Sequence, residues 1–121
     1  MLLLVDDDPR FLEEAECVLD GVEDVIFARN GDQALFLTDC LGSEFSAILI
    51  DLNLPGQDGF SLISALRNRF PGIPLIAISG VSQRHVLESA MVFGAVDALR
   101  KPITPEWKAA IAKVQVASRP A

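Results

Sequence analysis

Five short apolar runs constrain this chain more than any other feature: Leu2–Val5, Val25–Ala28, Ala47–Ile50, Leu75–Ile78 and Val96–Leu99. Each has strand length and lacks a clean polar alternation, which suits strands buried on both faces of a parallel sheet. Segments with helical spacing separate them. Phe11, Leu12, Ala15, Val18 and Leu19 share one helical face, as do Leu62, Ile63, Leu66 and Phe70. Val86, Leu87, Ala90 and Met91 make a third stripe, and Trp107, Ala110, Ile111 and Val114 a fourth. Asp32 to Leu41 is helical by propensity, with a blurred stripe. Strand–helix alternation five times over predicts right-handed crossovers and a parallel sheet covered on both faces, an α/β doubly wound fold.

Helix boundaries agree with this order. Asp8 before Pro9 reads as an N-cap followed by proline at the first helical position, and Thr104 before Pro105 repeats the device. Gly21, Gly42, Gly72 and Gly94 fall near helix ends, where a left-handed residue is expected. At 121 residues the chain is one domain's worth. We expect one domain over residues 1–117 and a tail or linker stub over 118–121.

Charge and cysteine usage narrow the function. The net charge of −7 repels phosphate backbones, so direct nucleic-acid binding is not expected; cations or a basic protein surface suit it better. Cys17 and Cys40 belong to no CxxC or Cys/His cluster and are expected to be buried or half-buried free thiols in a reducing compartment. The opening "MLLLVDDD" is too short and wrongly flanked for a signal peptide, and no run approaches the roughly 20 apolar residues of a membrane span. A cytoplasmic location is the expectation.

In a parallel sheet all strand carboxyl ends lie on one edge, where sites form. The first run ends in Asp6 and Asp7, the third in Asp51, the fourth in Ser79, and the fifth in Arg100 and Lys101. The second ends in Arg29 and Asn30, ordinary turn residues. Clustered carboxylates repel one another unless a cation sits among them. All-oxygen ligands favour a hard ion, so Mg²⁺ is the expected occupant. A carboxylate beside a metal is a competent nucleophile toward phosphoryl groups, giving an acyl phosphate. Phosphoryl transfer asks mainly for positioning and charge neutralisation. Asp51 would attack, Mg²⁺ and Lys101 would supply charge, and Ser79 could donate a hydrogen bond to a phosphoryl oxygen. The Leu-Pro-Gly turn after Asp51 keeps the edge open.

Four segments in this order, "LLLVDDDP", "ILIDLNLPGQDGF", "LIAISG" and "DALRKPI", resemble the receiver domain of bacterial two-component response regulators. The resemblance covers essentially the whole chain. It implies a flavodoxin-like five-stranded sheet in order 2-1-3-4-5. It also implies Mg²⁺-dependent phosphoryl transfer from a histidine kinase or histidine phosphotransfer protein to Asp51. By the same resemblance Asp6 and Asp7 are the acidic pair holding the metal with Asp51, and Asn53 gives its backbone carbonyl to it. Ser79 is the switch hydroxyl, Lys101 the lysine of the pattern, and Lys101–Pro102 a cis peptide. Such a module catalyses only its own phosphorylation and dephosphorylation; a homodimer is left open.

Ala98 departs from the family, which usually has Tyr or Phe three positions before the lysine. Alanine has no ring to swing inward, so a weakened or altered switch on the face of the fourth and fifth helices is expected. Ile103 and Gly80 also replace common residues, tolerably. Two other readings compete. A hydrolase with a strand-end aspartate commonly needs a second acid two residues on, where this chain has Asn53. A receiver-fold scaffold working without phosphorylation is favoured by Ala98 and opposed by the intact acidic set. Asp8 and Asp58 read as caps or turn residues, His85 as a surface residue, and Trp107 as half-buried packing.

Overall fold

The apolar runs pair side by side in one parallel sheet of order β2-β1-β3-β4-β5. In chain order the elements are β1 (Leu2–Val5), α1 (Pro9–Val18), β2 (Val25–Ala28), α2 (Gly31–Leu41), a 3₁₀ turn (Gly42–Glu44), β3 (Ala47–Asp51), α3 (Gly59–Arg69), β4 (Leu75–Ser79), α4 (Arg84–Phe93), β5 (Asp97–Arg100) and α5 (Glu106–Ala117). The computed structural model describes residues 1–121 except 22, 55, 57, 81–83 and 118–121, and the side chains of Arg84 and Leu87 are likewise not described. The expected tail over 118–121 therefore lies outside the described residues.

Strands β1, β3 and β4 are buried throughout, as uninterrupted apolar runs require. Their side chains alternate between two cores. Leu3, Val5, Ile48, Ile50, Leu75 and Ala77 pack with Leu62, Ile63 and Leu66 of α3, Ala34 of α2 and Ala90 of α4. Leu2, Leu4, Leu49, Ile76 and Ile78 pack with Phe11, Leu12 and Ala15 of α1 and Trp107, Ile111 and Val114 of α5. Helices on both faces make this the doubly wound arrangement that the alternation predicts.

Several local expectations change. The edge strands β2 and β5 are mostly half-buried rather than fully buried. Strand β5 starts one residue later than its apolar run, and Val96 is 51% exposed. Met91 is 43% exposed, so the α4 stripe faces the core only in part. Cys17 and Cys40 are free, as expected, but exposed. Trp107 is buried rather than half-buried, because its ring packs against Phe11. Among the four helix-end glycines, Gly21 and Gly94 have positive φ, whereas Gly42 is right-handed at φ −47°. Gly42 serves space instead: a Cβ there would meet the Phe70 ring at 2.7 Å. Gly72 is not among the positive-φ glycines.

Helix starts follow the cap signals. Asp8 accepts from the Arg10 amide with Pro9 opening α1, Asn30 caps α2 through the Gln33 amide, and Asp58 caps α3 through the Phe60 amide. At the fifth helix a tighter turn intervenes, with Trp107 N–H donating to Thr104 O and Lys108 N–H to Pro105 O, so α5 proper begins at Glu106. Among the described residues no helix is long and apolar enough to cross a membrane.

Candidate functional site

The parallel strands bring their carboxyl ends to one edge. Strand β1 runs into Asp6 and Asp7, β3 ends on Asp51, β4 on Ser79 and β5 on Arg100, with Lys101 next. Register fixes who meets whom: Val5 lies beside Ile50, Asp51 beside Ile78, and Ser79 beside Arg100. Asp6, Asp51 and Ser79 are buried at 0%, 3% and 1% exposure, and Asp7 is exposed. Carboxylate oxygens of Asp6, Asp7 and Asp51 all lie within 4.8 Å of one another.

Each buried carboxylate is fixed at one oxygen and faces the lysine with the other. Asp6 Oδ1 accepts from the Asp8 amide at 2.9 Å, and Asp51 Oδ1 accepts from the Asn53 amide at 2.9 Å. Lys101 Nζ stands 2.8 Å from Asp6 Oδ2 and 3.1 Å from Asp51 Oδ2. It donates a hydrogen bond to Asp51, whereas Asp6 Oδ2 has the charge beside it but accepts no aligned hydrogen bond. Lys101 is itself held by its amide, which donates to Ser79 O at 2.9 Å, and the Lys101–Pro102 peptide is cis.

The electrostatics are unbalanced. Three clustered carboxylates are accompanied by one lysine ammonium, paired with Asp6 and Asp51, so negative charge is in excess. Burial raises the Asp6 carboxyl above its ordinary value, and the Asp51 charge adds to this; the Lys101 ammonium and the Asp8 amide only partly oppose it. Burial pulls the Lys101 ammonium down, but the Asp6 and Asp51 carboxylates outweigh it, and the net shift is upward. An all-oxygen set of three clustered carboxylates with surplus negative charge fits a hard divalent cation such as Mg²⁺. Asp6, Asp7 and Asp51 are the residues that could hold it.

Packing below the site explains Gly59. A Cβ at that position would lie 2.6 Å from Leu52 Cα and 2.9 Å from Asp51 O. Only glycine lets the start of α3 close against the end of β3.

The sequence-marked residues divide as follows. Asp6, Asp7, Asp51 and Lys101 come together, Ser79 lies at the adjoining strand end, and Asn53 is exposed beside Asp51, tied to it by its amide. Ala98 is half-buried in β5, paired with Ala77 and packed on the α2–α3–α4 core. Pro102 and His85 are exposed. Sequence reasoning placed Phe11 only in a helical stripe; its ring lies beneath Lys101, with Nζ 4.4 Å from the centroid. Its signal was faint: an aromatic in the first turn of the helix that follows the acidic pair. A groove of about 620 Å³ lined by Met1, Glu16, Leu19, Asp20 and Glu23 lies at the opposite edge; the convergence of charged groups points here instead.

Known proteins give the family. Residues 2–112 match the model of the response regulator receiver domain. The chain is 35% identical over 103 residues to a glycerol metabolism activator of Pseudomonas putida, covering 83% of this chain and 46% of that protein. It is also 35% identical over 102 residues to a response regulator receiver protein of Anaeromyxobacter sp., covering 84% and 42%. It thus spans less than half the length of these two relatives. Among solved structures, the receiver domain of the Francisella response regulator 1452 superposes with a TM-score of 0.85 at 25% identity, covering 98% of each chain. A CheY-like receiver domain protein of Methanospirillum hungatei superposes at 0.86 and 23% identity, covering 97% and 94%, and so supports the fold. With the family model spanning nearly all of its length and a receiver-type sheet beneath the acidic edge, this chain belongs to the response regulator receiver family.

Proposed function

We propose that this chain accepts a phosphoryl group on Asp51 from the phosphohistidine of a sensor kinase or histidine phosphotransfer protein, in a Mg²⁺-dependent reaction, and signals by the resulting change of conformation. The observation that carries this is the placement of Lys101 Nζ between Asp6 Oδ2 and Asp51 Oδ2, with Asp7 completing an acidic set. Bound Mg²⁺ would neutralise charge on the carboxylates and on the incoming phosphoryl oxygens. An oxygen of Asp51 forms the new bond to phosphorus as the bond from phosphorus to the donor imidazole breaks. The imidazole leaves with its electron pair and takes a proton from water. Asn53 N–H holds the other Asp51 oxygen, which fixes the direction of attack. Lys101 turns from the carboxylates to a phosphoryl oxygen, and the Ser79 hydroxyl donates to another.

This role consumes no outside substrate beyond the phosphodonor, and the acidic net charge supports a protein rather than a nucleic-acid partner. Incubation with acetyl phosphate tests it. One phosphoryl mass should be gained with Mg²⁺, none with chelator, and none in Asp51→Asn; a wild type that stays unmodified with Mg²⁺ defeats the reading. That result would favour the alternative, a receiver-fold scaffold working without phosphorylation, to which Ala98 lends its only support.

Ala98 carries a second part of the proposal. With no ring to move, phosphorylation alters the face of α4 and α5 weakly. Amide shifts on binding beryllofluoride should concentrate in the loops of the acidic edge; large changes across residues 82–117, rather than only in the site loops, would contradict this.

A further inference from the structure

We propose that Phe11 is a positioning residue for Lys101: the face of its buried ring holds the ammonium beside the two carboxylates, ready to turn to an incoming phosphoryl oxygen. The proposal rests on the reading of Asp51 as phosphoacceptor and assigns a new residue to that site.

The placement begins with the cap. Asp8 caps α1, so Phe11 falls in its first turn, four residues after Asp7. The ring is 4% exposed and wedged against Trp107 of α5, centroids 5.9 Å apart and planes tilted by 57°. Trp107 is also buried, so the ring is supported from behind and does not follow the lysine. Lys101 Nζ stands 4.4 Å from the ring centroid, well inside the range where an aromatic quadrupole attracts a cation. The ammonium therefore has Asp6 and Asp51 oxygens on two sides and a π-face on another.

The ring does what neither a carboxylate nor an aliphatic residue does there. It attracts the charge without accepting a proton and without adding to a negative excess already present. In the proposed reaction Asp6 is needed by the cation, so the lysine loses a partner before it turns to the phosphoryl oxygen; the ring remains. An aliphatic side chain of similar size would desolvate the ammonium and return nothing. The competing account is that Phe11 is ordinary core and that its contact with Lys101 follows from packing alone. Shape and charge preference must therefore be varied separately.

The full chain is prepared as wild type, as Phe11→Leu, and with 3,4,5-trifluorophenylalanine at position 11, which keeps the ring's shape and weakens its negative face. Phosphorylation by acetyl phosphate is followed at saturating donor and Mg²⁺, with thermal unfolding and the Lys101 ε-methylene proton shifts of the metal-free protein as companions. We expect a roughly tenfold slower reaction in Phe11→Leu and a several-fold slower one in the fluorinated protein, with half-saturating donor unchanged. The upfield ring-current shift of Lys101 should vanish in Phe11→Leu and persist in the fluorinated protein. A wild-type rate in the fluorinated protein overturns the proposal, whatever Phe11→Leu does, and decides the matter even if that variant fails to fold. A wild type that takes no phosphoryl group overturns the functional reading and this proposal together. A phosphorylated wild type with equally fast variants overturns this proposal alone.

Discussion

Two polar clusters close the two edges of the same sheet, and they are built on opposite principles. At the amino edge, Glu23 accepts from Ser46 Oγ at 2.5 Å and from Gln115 Nε2 at 3.0 Å, and the amino-terminal nitrogen of Met1 lies 2.7 Å away. Gln115 Nε2 also reaches Ser46 Oγ at 2.8 Å, so the group ties α5 to the starts of three strands. At the carboxyl edge three carboxylates cluster, and one lysine pairs with two of them, Asp6 and Asp51. Burial opposes ionisation at both edges. The donors at Glu23 overcome it and the carboxyl is lowered; at Asp6 burial and the Asp51 charge prevail and the carboxyl is raised. One edge satisfies its own charge and serves the fold. The other keeps a surplus of negative charge beside its lysine, an arrangement suited to the proposed cation and phosphoryl group.

Removing a charge from Asp7 or from Glu23 should therefore change stability in opposite senses. The largest effect is expected for Asp51→Asn, which removes the proposed phosphoacceptor and should abolish phosphorylation while thermal stability is maintained; loss of both together would mean that the acidic edge is structural after all. Next comes Gly59→Ala. Its Cβ would strike Leu52 and the Asp51 carbonyl, so unfolding in urea should show a loss of roughly 2 kcal/mol from overpacking. A neutral result would show that backbone contact does not hold this edge in place. Smaller still is Asp7→Asn. In metal-free protein it removes repulsion at an exposed carboxylate and should raise stability by about 0.5 kcal/mol, while cancelling most of the stabilisation that the proposal expects Mg²⁺ to give the wild type. A thermal melt with and without Mg²⁺ reads both.

The smallest effect belongs to the amino edge. Glu23→Gln should lower stability by about 0.5 kcal/mol at neutral pH, with phosphorylation unchanged. The pH dependence gives the sign. A lowered folded carboxyl contributes stability that is whole above its ordinary value of 4.5 and is lost as pH falls through the lower folded value, so the difference between Glu23→Gln and wild type should vanish in acid. Asp6 runs the other way. Its raised folded carboxyl penalises the fold while ionised, and the penalty is relieved as pH falls through the raised value toward 3.8. Carboxyl carbon titrations of the metal-free protein, with Asp6 above and Glu23 below their ordinary values, would confirm the pair; the same direction at both would erase the distinction.

The sheet and the acidic edge were legible because they rest on strong, short-range signals. Uninterrupted runs such as Ile48 to Ile50 can only be buried, and parallel pairing then puts their terminal residues together. Caps at Asp8 and Asp58 were readable for the same reason. What failed depended on tertiary packing. The exposure of Cys17, Cys40 and Met91 turns on which side of a helix a neighbour covers. Gly42 was taken for a left-handed cap, but its role is set by Phe70, far away in the chain. The amino-edge cluster was invisible because Glu23, Ser46 and Gln115 are unremarkable singly and meet only in the fold. Phe11 escaped as a site residue because an aromatic in a helical stripe normally signals core and nothing more.

Two amides report most directly on the central claim, because each already donates to one of the buried carboxylates: Asp8 to Asp6 and Asn53 to Asp51. Following them by amide NMR during a Mg²⁺ titration without phosphodonor should show both moving together and saturating, with Glu23, Ser46 and Gln115 still. Stationary Asp8 and Asn53 signals, or movement centred on the amino edge, would contradict the account.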